Sequence, residues 1–495
     1  MKRLLAWAAA GDWVNPVAVK EFRQAVQSRW VVAVLMLFLL VDVMFVGSYL
    51  ALSTDVATNA RAGRTTLATL LAILMSTCVG FVPLYSGIRL SLERNDSNID
   101  LLFITTIRPG AIVRGKYLSA MALTLLIFSA CMPFMVLTYL LGGVDVPTIL
   151  FLLAAGFAAC AVANALGIFA GSVSGSWLIR GLAGGGCVFV LCYLGAGVIA
   201  LLNEMLVRGM GIATVDAGQF WSVLATVALL ASLTIGLFYV LSVALLSPVL
   251  SNRMLLPRVY LIASWIAAGS VTAVWSWHEH EVWPIGSWMI GSGIAWMITA
   301  VAAMGERDTW TTRVRRAIPR NPLLRAIAFL IYTGSAGGVI FSGIMFAATV
   351  GVTYYVCYIC GLSDLRHKFS GDSLSNVAGS LATVFGYILC YCLTTAFLRI
   401  TLFRRLPTAT LALITIIVAA FAMIVPFLFA FIFMERTSHT VPWYMLGSPM
   451  VLTSGERFAT EMAAPVVVVW LAVGTLLSAP WAFGQLRRFV PLEEK

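Results

Sequence analysis

The chain has 495 residues, of which 61% are hydrophobic and 11% charged. A soluble domain carries about 45–50% apolar and about 25% charged residues, and it cannot hide this much apolar surface because buried area grows slowly with chain mass. Disorder is excluded by the same figures, since it needs low hydrophobicity and high charge, and the formal net charge of +11 finds a topological explanation below rather than a nucleic-acid one.

The opening Met1–Ala10 has the look of a secretory signal, but Gly11, Asp12 and Trp13 interrupt its apolar run, so cleavage is not expected. Segment 15–30 follows. Asn15 is suited to cap a helix and Pro16 to begin one. Val19, Phe22, Val26 and Trp30 recur at helical spacing, with Lys20, Arg23, Gln24 and Gln27 between them. An amphipathic basic helix directly before a span is expected to lie in the membrane interface.

A span needs about 20 apolar residues. Twelve intervals qualify: 31–52, 66–88, 117–141, 148–172, 181–203, 219–246, 258–276, 284–304, 330–355, 376–398, 409–434 and 464–484. Long continuous runs predict an all-α polytopic membrane protein rather than an outer-membrane barrel, whose segments are short and alternating. If both termini lie in the cytoplasm, 25 of the 32 Lys and Arg fall on that side and seven on the other. That asymmetry predicts a multi-pass protein of the plasma (bacterial inner) membrane with N- and C-termini inside.

Asp42 falls in the middle of the first span. A carboxylate at that depth is costly and should face the bundle interior. It could contact substrate or carry a coupling proton; the plainer reading is a helix–helix contact, which we prefer. The loop 89–116 after the second span is the most informative. Ser97 and Asp100 have the spacing of a capping box, with Asp in place of Glu. They predict a short helix from about Asn98 to Ile107, stopped by Arg108-Pro109-Gly110. Its Ile99, Leu102, Phe103 and Ile104 are too apolar for a solvated loop, and the helix is too short to span, so it needs a protein surface to dock on. Gly110, Gly115 and Lys116 mimic a P-loop, but Tyr117 stands where magnesium needs Ser or Thr, and no strand precedes.

Two six-span halves are expected, 1–250 and 251–495. Glu93, Arg94 and Pro109 recur as Glu306, Arg307 and Pro322 at a constant offset, and each half places a long loop after its second span (89–116, 305–325). Six spans is an even number, so these would be parallel repeats.

Other motifs read as structural. Gly167, Gly171 and Gly175, and Gly181 with Gly185, have the spacing of close helix packing. Cys357 and Cys360 lack a second pair for zinc, and all nine Cys fall in or at the ends of apolar stretches, so no disulfide framework is indicated. His278 and His280 lie in a short outer loop with no third ligand nearby.

The interfacial helix (Asn15, Pro16, Lys20, Glu21, Arg23), followed after the second span by Glu93, Arg94, Asp100, Leu101, Leu102, Thr105, Thr106, Pro109, Gly115 and Lys116, resembles the permease subunits of ABC exporters, the six-span class called ABC-two permeases. The resemblance covers residues 15–140. It implies that 15–30 is an elbow helix and that the helix in 89–116, with Phe103 on its apolar side, is a coupling helix that docks on a cytoplasmic ABC ATPase. It implies a transport subunit, not an enzyme, with no cofactor of its own, ATP and Mg being held by the partner, and room for a second permease chain. In the second half, Thr311 to Arg316 replaces the apolar coupling helix. The competing reading is an ion-coupled secondary transporter using Asp42. A membrane enzyme would need a converging set of acids, bases, nucleophiles or metal ligands at one depth, and the sequence offers none.

Overall fold

In a computed structural model, the described residues are 16–52, 60–95, 108–175, 177–208, 218–248, 251–361, 368–369, 372–402, 409–433, 446–449 and 457–491. The chain divides into two compact units, Met1–Ser247 and Pro248–Lys495. The first contains α1 (Pro16–Val26), α2 (Arg29–Leu52), α3 (Ala60–Asn95), α4 (Pro109–Leu140), α5 (Val146–Ser172), α6 (Trp177–Arg208) and α7 (Gly218–Leu246). The second contains α8 (Leu255–Glu279), α9 (Trp283–Met304), α10 (Thr312–Arg316), α11 (Pro322–Ile331), α12 (Ser335–Ile359), α13 (Leu374–Thr401), α14 (Ala409–Phe433) and α15 (Arg457–Arg488). A two-residue bridge pairs β1 (Lys368–Phe369) with β2 (Asp372–Ser373) before α13.

Eleven of these helices are long and apolar enough to cross a membrane, so the chain reads as an all-helical polytopic membrane protein. The expected span 409–434 corresponds to α14, 25 residues long, whose described apolar stretch is Thr410–Val425. One boundary differs in kind. The expected span 330–355 begins at Ser335, because the residues before it form the separate helix α11, capped by the Asn321 side chain and ending at Ile331. Tyr332 to Gly334 break the chain between them, and Gly337 lets α12 start against the end of α11: a Cβ there would lie 2.2 Å from the Phe329 carbonyl oxygen.

Buried side chains of the first unit form one apolar core from α2 to α6, including Leu70, Leu74, Met75, Cys131 and Leu152. Its tightest seam is α3 on α5. A Cβ at Gly167 would stand 2.3 Å from the Pro83 carbonyl oxygen, and one at Gly171 would stand 2.2 Å from that of Gly87. Two backbones this close leave no room for a methyl group, and they gain dispersion contacts along both helices. Gly175 lies beyond the end of α5, and Gly181 and Gly185 face open space. The expected packing role therefore holds at two of the five glycines. Of the other three, Gly181 and Gly185 meet nothing within contact, and Gly175 meets only Ile179 of the helix that follows it, so the spacing brings no further pair of helices together.

In the second unit, the Trp265 and Trp296 indole N–H groups donate to one Thr349 hydroxyl at 2.9 and 3.0 Å. Phe346 and Phe385 stack with ring centroids 4.0 Å apart. The Tyr387 and Tyr391 hydroxyls donate to the carbonyls of Leu446 and Gly447, tying the short 446–449 turn to α13.

Candidate functional site: the Lys116 junction

Of the residues singled out in the first unit, three converge. Lys116 lies in the second turn of α4, only 4% exposed. Its Nζ sits 3.0 Å from Glu21 Oε1 on α1 and 2.8 Å from Glu93 Oε2 in the last turn of α3. An ammonium and a carboxylate this deeply buried persist only if each finds partners. The three residues come from three helices, the consecutive α3 and α4 and the distant α1.

The approach of α1 to α4 depends on Gly115. A Cβ there would meet Val17 Cβ at 2.8 Å and the Ala18 amide at 3.1 Å. The face of α1 turned toward the protein is Ala18, Glu21 and Ala25, all buried, spaced three and four apart on one side of the helix. Sequence reading missed this face, because two alanines and a glutamate do not register as an apolar stripe. Of the expected apolar face, Val19, Val26 and Trp30 are 54%, 40% and 76% exposed and Phe22 is half-buried. Lys20 and Arg23 are exposed as well. Residue 27 turns the chain, so α1 is separate from α2.

The end of α3 is held by two arginines. Arg89 donates to Gln24 Oε1 on α1 at 2.6 Å and to its own helix's Tyr85 hydroxyl at 3.0 Å. Arg94 donates to the Ser172 carbonyl at the C-terminus of α5, and at 3.1 Å to the Leu245 carbonyl at the C-terminus of α7. Those carbonyls have no intrahelical partner, and they carry the negative end of the helix dipole, so a guanidinium is favoured there. Pro109 opens α4 at the position where a missing N–H costs nothing. Helix α1, the ends of α3, α5 and α7 and the start of α4 are thus tied together through Arg89, Arg94 and Lys116, beside segment 96–107. Asn15 and the expected coupling residues Asp100, Leu101, Leu102, Phe103, Thr105 and Thr106 lie outside the described residues.

Glu306, offset from Glu93 in the second unit, is also buried against a cation, but a different one. Arg258 of α8, 2% exposed, places Nη2 at 2.5 and 2.6 Å from the two Glu306 carboxylate oxygens. Its Nη1 donates to the carbonyls of Leu330 at 2.8 Å and Tyr332 at 2.6 Å. The Gly334 N–H donates to Glu306 at 2.8 Å. Burial pushes the Glu306 carboxyl up from its ordinary value, against the opposing pull of Arg258 and that N–H. Asp308 bonds Arg399 and the Ser335 hydroxyl, and the Ala336 N–H donates to Gln485 Oε1 at 3.0 Å. The orphan N–H groups at the start of α12 are satisfied in this way. Loop 305–325 is not an apolar coupling helix. Its five-residue α10 buries Val314, and the following Ile318 packs with Phe489. Arg258, Asp308, Arg399 and Gln485 were not expected from sequence, because each sits on a different element.

Asp42 is fully buried, and among the described residues neither carboxylate oxygen has a hydrogen-bond partner. Val31, Phe38 and Val46 form the rest of its helix face and are likewise buried, whereas Met36, Leu37, Leu40 and Met44 on the opposite side are at least 59% exposed. Of the two forms of helix–helix contact expected from sequence, protonated or hydrogen-bonded, the hydrogen-bonded one is not seen at Asp42 among the described residues. His280 takes a left-handed conformation (φ 53°) as the C-cap of α8. Among the described residues no group of three or more His, Cys, Asp or Glu is placed to hold a metal ion. No protein-family profile, curated protein or solved structure matches this chain.

Proposed function

We propose that the chain is the transmembrane permease subunit of an ATP-driven ABC export system, and that a separate cytoplasmic ATPase, which holds the ATP and Mg, docks on residues 96–107. The reading rests on the motifs of residues 15–140. The observation that carries it furthest is the Lys116 junction. Segment 96–107 is bracketed by helix ends that are cross-tied through Lys116–Glu21, Lys116–Glu93 and Arg94. A displacement applied to that segment would be passed to several helices together rather than absorbed by one flexible loop. A docking helix needs such stiffness behind it if closure of an ATPase is to reach the spans, because coupling travels through elements that move as rigid bodies.

Under this reading α1 is the elbow helix. Its exposed Val19 and Val26, with Trp30 at the start of α2, would rest in the interface while Lys20 and Arg23 face the headgroups. Asp42 favours one competing reading, an ion-coupled secondary transporter, because a buried carboxylate without a partner is the group such a mechanism would use.

Affinity purification of the tagged full chain from its native membrane separates the two. The exporter reading expects a P-loop ATPase to copurify and its activity to fall when Leu102 and Phe103 are changed to Glu. It fails if no ATPase copurifies and transport proceeds without ATP but is abolished by Asp42→Asn.

A further inference from the structure

A cavity of about 320 Å³ opens in the first unit between α4, α5 and α7, within the size range of small-molecule sites. Its wall is mostly apolar, with Val113, Ile168 and Ile235 among the lining side chains. Along α7 it reaches from Ser242 to Ser232, ten residues, or about 15 Å of helix. That is half of the hydrocarbon thickness of a bilayer, about 30 Å, and so the depth of one leaflet's acyl chains.

Few polar groups line the cavity. Arg114 lines it and is exposed. Among the described residues it makes no hydrogen bond or ion pair, in contrast to Arg89, Arg94 and Lys116 nearby, which are all engaged. The Tyr239 hydroxyl stands beside the first turn of α4, where a Cβ on Gly110 would come within 2.9 Å of it. No carboxylate lines the cavity. A cation without a counter-ion, set beside a hydroxyl at the mouth of a long apolar cleft, complements an anionic headgroup that carries an acyl chain. The outer faces of the same helices are apolar and exposed, with Leu118, Leu125 and Val227 each more than half accessible, so the cleft is continuous with a surface made for lipid.

We propose that this cleft is a binding site for an anionic membrane phospholipid, with one acyl chain between α4, α5 and α7 and the phosphate on Arg114. The site is distinct from the Lys116 junction and does not depend on the transport reading.

The test uses the full chain, purified, stripped of lipid and incubated with either phosphatidylglycerol or phosphatidylcholine. Lipid retention is counted on the intact protein by native mass spectrometry. Wild type should keep one phosphatidylglycerol more tightly than phosphatidylcholine. Arg114→Gln should weaken phosphatidylglycerol about tenfold, the scale of one charge-assisted hydrogen bond, and should weaken phosphatidylcholine less, because its choline cation offsets the same phosphate. Gly236→Phe, which fills the cavity, should weaken both. Arg325→Gln, a half-buried cation of α11 in the other unit, should change neither. Equal retention of the two lipids by wild type overturns the proposal. So does an Arg114→Gln protein that binds phosphatidylglycerol as wild type does, or an Arg325→Gln protein that loses as much. If Gly236→Phe does not fold, the Arg114→Gln comparison decides alone.

Discussion

Removing the Lys116 ammonium is the sharpest perturbation of the junction. Lys116 and Glu21 have side chains 4% and 8% exposed, whereas Glu93 is 29% exposed. At an effective dielectric of about 20, a unit-charge pair 3.0 Å apart gains about 5.5 kcal/mol before desolvation. Most of this is offset by the cost of burying both ions. Lys116→Met leaves Glu21 charged, buried and without its cation, and loss of one partner of a buried pair costs about 3–5 kcal/mol. Glu93→Gln should cost about 1 kcal/mol or less, because that carboxylate reaches solvent. Glu21→Gln should fall between them, and Lys116→Met with Glu21→Gln should recover much of the single loss, since both members of the buried pair are then neutral. Heating the solubilised protein with a thiol-reactive fluorophore reads the exposure of Cys78, Cys131 and Cys160, which are buried in the first unit. For a unit of this size, Lys116→Met should lower the midpoint by on the order of 10 °C. The reasoning is refuted if Lys116→Met melts with wild type, or if Glu93→Gln costs as much as Glu21→Gln.

Three further outcomes follow from the packing. Gly171→Leu should prevent stable assembly of α3 on α5, whereas Gly181→Ala, which faces open space, should be neutral or stabilise by up to about 1 kcal/mol through helix propensity; paired melting curves check both. Asp42→Leu should stabilise by about 1–3 kcal/mol, because it removes a buried group with no hydrogen bond, and a destabilised Asp42→Leu protein would mean that the carboxyl has a partner. Arg258→Met should cost about 3–5 kcal/mol in the second unit. Arg258→Lys should rescue little of it, since one ammonium cannot serve the Leu330 and Tyr332 carbonyls and Glu306 together.

The elements themselves were readable in the chain. A run of about twenty apolar residues has one physical outcome when every backbone group must be satisfied within its own segment, so the expected intervals coincide with long helices. The one exception, the start of α12, follows from Tyr332 to Gly334, a break too short to interrupt a hydropathy count. Glu21, Glu93 and Lys116 were also visible, but as members of two unrelated motifs.

Composition and periodicity by themselves determined that this is a polytopic helical protein, and roughly where each helix lies, because those properties are local. Only the tertiary structure decided which charges meet. It put Val17 and Ala18 against Gly115 and Glu21 against Lys116, gave Glu93 a lysine and Glu306 an arginine from a different helix, and among the described residues left the Asp42 carboxylate and Arg114 without partners. Pairing across many residues depends on which helix faces approach within a few ångströms, and hydropathy carries no record of that.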